Sequence, residues 1–162
     1  MKIKIALLMD IPDGKLPGFY AQIVKALAAK VQLFDREKEM LIVNTEQEYE
    51  AVLTIMEHYK IATEKMELLL LPEGAVVTDL FTDYGFVSRA ENSYLYNKLV
   101  RIFRFTPDAA GAERAQAVLQ MQEHLLARFA ENGEDYYAAD RQLDELMTGI
   151  AKAYKCAVEF VS

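Results

Sequence analysis

The 162 residues carry 25 Asp and Glu against 18 Lys and Arg, a net charge of −7, with 52% hydrophobic and 27% charged residues. That is enough apolar material for one globular core and too much for a disordered chain. The acidic balance disfavours nucleic-acid backbones and anionic membranes, and no apolar run reaches the roughly 20 residues of a membrane span. The single cysteine, Cys156, excludes an internal disulfide. The expectation is a cytoplasmic protein without a leader peptide, because the apolar start Ile3 to Met9 is short and closed by Asp10.

In chain order, Lys2 to Met9 alternates. Ile3, Ile5, Leu7 and Met9 point one way, which predicts a half-buried strand. Asp10-Ile11-Pro12-Asp13-Gly14 has loop composition. From Gly18, the apolar residues Phe19, Tyr20, Ile23, Val24, Leu27 and Ala28 fall at helical spacing. Val31 to Phe34 and Met40 to Val43 read as two strands joined by the polar turn Asp35-Arg36-Glu37-Lys38. That turn is too short for a parallel crossover, so the pair is expected to be antiparallel. Thr45 and Glu48 form a T-x-x-E capping box before a helix striped by Val52, Ile55, Met56 and Tyr59. Met66 to Leu71 is a short apolar run closed by Pro72-Glu73-Gly74 and reads as a buried strand. The order βαββαβ over residues 1–74 predicts a ferredoxin-like two-layer sandwich.

Residues 75–162 are expected to form a helical extension of the same single domain, 1–162. Ser88 and Glu91 repeat the capping-box spacing, and Leu95, Leu99, Ile102 and Phe103 follow on one stripe. Thr106-Pro107 has the composition of a helix start, Val118, Met121, Leu125 and Phe129 supply a stripe, and Asn132-Gly133 supplies an end. A third helix is expected from Asp135 to Tyr154, followed by a final strand at Ala157 to Val161. An apolar strand there needs a partner, in its own sheet or a neighbour's. The whole is therefore classed as α+β.

Phosphate-binding glycine loops, nucleophile elbows and H-E-x-x-H are all absent from the sequence. Asp10 and Asp13 flank the first loop. Carboxylates at the carboxyl end of a strand can hold Mg²⁺ for phosphoryl or phosphodiester chemistry, and Asp beside Pro and Gly equally makes a turn. Tyr84, Arg89, Tyr94, Tyr96, Arg101 and Arg104 form a tyrosine and arginine set of the kind found in protein-binding hot spots. The same set can cradle an anion.

The segment Ala6-Leu7-Leu8-Met9-Asp10-Ile11-Pro12-Asp13, in a βαββαβ order, resembles the small CRISPR-associated adaptation nucleases. The resemblance covers residues 1–74 and implies a ferredoxin-like dimer with an Asp ending the first strand. It also implies an arginine-rich following helix, whereas Gly18 to Lys30 offers only Lys25 and Lys30. Two functions are thus expected of this chain. The first is an interaction or regulatory domain with no cofactor, partnered by a protein or by itself as a homo-oligomer. The alternative is a Mg²⁺-dependent phosphodiesterase, nuclease or phosphotransferase using Asp10 and Asp13.

Overall fold

A computed structural model describes residues 1–11 and 17–162. Among them the chain forms two antiparallel sheets and four α-helices, and it divides into two compact units. No helix among the described residues is long and apolar enough to cross a membrane.

The first unit comprises Lys2–Leu70 and Val87–Asn92. Its elements are β1 (Lys2–Asp10), α1 (Pro17–Lys30), β2 (Asp35–Glu37), β3 (Met40–Val43), α2 (Glu46–His58) and β4 (Ala62–Leu70). The strands lie in the order β2-β3-β1-β4, and each neighbouring pair is antiparallel. The longest ladder runs from Lys2↔Leu70 to Asp10↔Ala62. Ile5, Leu7 and Met9 of β1 pack with Leu41 and Val43 of β3, beneath Ile23 and Leu27 of α1 and Val52, Ile55 and Met56 of α2. Both helices therefore share one core, each buried aliphatic side chain contributing about 1.5–3 kcal/mol. The capping box forms as expected. The Glu48 amide donates to Thr45 Oγ1 at 3.1 Å, and the Asn44 amide donates to Glu48 Oε1 at 3.2 Å.

Two expectations for this unit change. The hairpin is antiparallel, but its first arm is Asp35–Glu37 rather than Val31 to Phe34, and the turn narrows to Lys38-Glu39. The charged Asp-Arg-Glu run reads as a turn by composition, yet charge is what an edge strand uses to resist further pairing. The strand β1 is also buried on both faces, since Lys4 and Ala6 are buried along with Ile5 and Leu7.

The second unit comprises Met1, Leu71–Phe86 and Ser93–Ser162. It holds β5 (Val76–Val77), β6 (Gly85–Val87), β7 (Ser93–Tyr96), β8 (Val100–Phe105), α3 (Arg114–Met121), β9 (Leu125–Glu131), β10 (Glu134–Asp140), α4 (Asp144–Ala153) and β11 (Val158–Phe160). Five of these strands form an antiparallel sheet in the order β11-β8-β10-β9-β5. Phe103, Phe105 and Tyr137 on the sheet pack with Ala117 and Met121 of α3 and Met147 and Ala151 of α4. β6 and β7 pair with each other, and the approach is close. A Cβ on Gly85 would lie 2.0 Å from the Tyr94 carbonyl oxygen, so only glycine fits there.

The expected helical extension is thus replaced by a sheet with two helices. The stripe Leu95, Leu99, Ile102 and Phe103 belongs to two strands and the turn between them. In β8, Val100, Ile102, Phe103 and Phe105 are all buried, and a strand buried on both faces loses its period of two. The Asn132-Gly133 pair does not end a helix. With φ of 51° and 79° it turns the β9–β10 hairpin, the conformation that Asn-Gly favours. The last helix begins only at Asp144, after β10. The final strand is present as β11, paired with β8.

Candidate functional site

Asp10 ends β1 opposite Ala62 and is exposed. With Ile11, Glu39 and Glu64 it lines an open groove of about 560 Å³. Asp13 lies outside the described residues. Among the described residues, no three His, Cys, Asp or Glu side chains are grouped to hold a metal ion.

Five of the tyrosine and arginine set, Tyr84, Tyr94, Tyr96, Arg101 and Arg104, lie in the second unit, where they make separate contacts. Tyr94 is fully buried and stacks on Phe86, with ring centroids 5.2 Å apart. Phe86 also faces Tyr96 at 5.8 Å, and burial holds the Tyr96 phenol above its ordinary pKa. The Tyr84 hydroxyl donates to Asp140 Oδ2 at 2.5 Å, and that bond is the main reason its pKa is raised. Arg101 lies 3.2 Å from Asp144 and 4.8 Å from the Phe160 ring centroid. Arg104 is held by Glu134 and Glu159. Residues three apart on a strand point to opposite faces, so Arg101 and Arg104 lie on opposite faces of β8.

Arg89 belongs to the first unit. It is exposed on the 87–92 segment of the first unit, and it lines a cavity of about 400 Å³ with Arg36, Glu37 and Lys38. A carboxylate buried beside that cavity joins its two walls. Asp35, 8% exposed, accepts from Ser88 Oγ at 2.6 Å, from Asn92 Nδ2 at 2.9 Å and from the Arg36 amide at 2.7 Å. Ser88 is itself only 4% exposed. Its expected role as a helix cap becomes the pinning of a tight loop. The Glu91 amide donates to Ser88 O, and the Asn92 amide donates to Ser88 Oγ.

Two further features escaped the sequence reading. Lys4 is 8% exposed in β1, donates to Asn44 Oδ1 at 2.5 Å and lies 4.1 Å from the Phe34 ring centroid. Burial lowers its pKa. Strand alternation assigned it to solvent, and only burial of the second sheet face reveals it. The other feature is β5, the outermost strand of the five-stranded sheet. Val76 is 65% and Val77 40% exposed, and Leu80 beyond them is 38% exposed.

No protein-family model matches this chain, nor does any curated protein or solved structure.

Proposed function

We propose that the chain is a small non-catalytic interaction or regulatory domain that pairs with a second copy of itself along β5. The observation that carries this reading is the apolar free edge. Two exposed valines form the last strand of a sheet, and among the described residues no strand lies on its outer side. Such an edge presents unpaired N–H and C=O groups beside apolar side chains. Two copies related by a two-fold axis bring β5 antiparallel to β5, and each covers the other's valines with the same residues. The first unit is proposed to be a ferredoxin-like sandwich. Its support is the βαββαβ order, the strand order β2-β3-β1-β4 with antiparallel neighbours, and two helices on one core. A cytoplasmic setting without a cofactor goes with this reading.

Light scattering over a concentration series tests it. The expected result is a dimer that dissociates on dilution, with Val76→Asp monomeric throughout and unchanged in circular dichroism. A wild-type monomer at every concentration contradicts it, as does a dimer indifferent to Val76→Asp.

One observation favours the metal-dependent phosphodiesterase or phosphotransferase. Asp10, at the carboxyl end of β1, shares a groove with Glu39 and Glu64. In that case Mg²⁺ or Mn²⁺ raises the melting temperature of the wild type and not of Asp10→Ala. An absent shift removes this reading.

A further inference from the structure

We propose that the cavity between the β2–β3 turn and the 87–92 loop binds a small phosphorylated molecule, with Arg36, Lys38 and Arg89 as its phosphate ligands. The charge pattern is the first ground. Three cations and one carboxylate, Glu37, line a cavity of about 400 Å³ in a chain whose net charge is −7. Among the described residues neither Lys38 nor Arg89 has an ion pair or a side-chain hydrogen bond. The Arg36 guanidinium lies 4.9 Å from the Tyr20 ring centroid and donates from Nη2 to the Tyr20 hydroxyl. Its Nε donates to the Lys38 carbonyl oxygen at 3.5 Å, and among the described residues Nη1 has no hydrogen-bond partner.

The walls that carry these cations are held in place, which is the second ground. Asp35 ties the loop to the edge strand through Ser88 and Asn92. Lys38 at φ 52° and Glu91 at φ 66° sit at sharp bends, each in the left-handed region that side chains rarely adopt. Three cations against one lining carboxylate leave an excess of positive charge, and a bound anion relieves the repulsion among them. A site already assembled avoids the ordering cost that a flexible loop would add to binding.

The class of ligand follows from the donors and the volume. Arginine forks match phosphate oxygens, and a lysine ammonium adds a point charge. The cavity falls within the roughly 300–1,000 Å³ usual for small-molecule sites and exceeds what a free phosphate needs. Glu37 in the same wall accepts a hydrogen bond from a hydroxyl or amine on the organic part. A nucleic-acid backbone is disfavoured, since three cations give few contacts and the rest of the chain repels it.

Calorimetric titration of the full chain with inorganic phosphate, glycerol phosphate and citrate at constant ionic strength tests the proposal. Phosphate and glycerol phosphate are expected to bind one per chain. Lys38→Gln and Arg89→Gln, both exposed and outside the core, are each expected to weaken binding by roughly tenfold or more. Arg104→Gln, whose charge is already paired, is expected to leave it unchanged. Tighter binding of glycerol phosphate assigns the remaining space to an organic group, and equal binding assigns the site to the free ion. Either result supports phosphate recognition. No heat with either probe, tighter binding of citrate than of both, or affinities unchanged in both variants would overturn it. Val76→Asp does not touch this cavity, so failure of self-association and failure of phosphate binding are read separately.

Discussion

In the second unit the arginines of β8 already have partners: Arg101 pairs with Asp144, and Arg104 bridges Glu134 and Glu159. In the first unit Arg36, Lys38 and Arg89 face a common cavity whose lining includes one carboxylate. The nearby Asp35 carboxylate accepts from Ser88, Asn92 and the Arg36 backbone amide. The two basic groups look alike by composition and differ in what surrounds them. Exposed ion pairs contribute little, near 0–1 kcal/mol, and they also remove cations from the pool that an anion can recruit. An unpaired cluster keeps that capacity.

The contrast extends to the carboxylates, and two substitutions probe it. Asp35→Ala should have the larger effect. It leaves the buried Ser88 hydroxyl without its acceptor, and a loss of about 1–3 kcal/mol is expected by chemical denaturation. Hydrogen exchange at residues 88–92 should rise with it. A loss below about 0.5 kcal/mol, within the ordinary range for surface changes, would mean that Asp35 does not hold the loop.

Tyr84→Phe, in the second unit, should cost about 1 kcal/mol at neutral pH, because a phenol donates to the Asp140 carboxylate at a partly exposed site. The bond raises the Tyr84 pKa above 10.0 in the folded chain. Its contribution is therefore complete below pH 10 and disappears as pH climbs through the folded value. The gap between wild type and Tyr84→Phe should close in that window. A gap that is constant across it would contradict a phenol–carboxylate bond.

The same two regions differ in how much of them the sequence exposes. In the first unit, apolar spacing and a capping box give both helices and the strands β1 and β3, and the short connection gives an antiparallel hairpin, although its first arm lies in the charged run Asp35–Glu37 that composition assigns to the turn. In the second, Val100, Ile102, Phe103 and Phe105 are buried at spacings that a helix would also give, because β8 is covered on both faces. The Asn132-Gly133 pair was the available signal for a hairpin, and a preceding helical stripe masked it. The basic cavity of the first unit was visible only through Arg89. Arg36 and Lys38 sat in what composition described as a solvated turn. Their link to a loop some fifty residues on runs through Asp35–Ser88 and Asp35–Asn92, separated by 53 and 57 positions. No local pattern records contacts of that range. Lys4 was hidden for a related reason, since alternation along β1 identifies one buried face and is silent about the second.

The most direct measurement is a two-dimensional amide NMR titration with inorganic phosphate. Amides of residues 36–38 and 88–92 should shift together with one saturation curve, while those of β8, with Arg101 and Arg104, stay in place. Shifts concentrated on residues 100–105, or none that saturate anywhere, would contradict a phosphate site built from the unpaired cations.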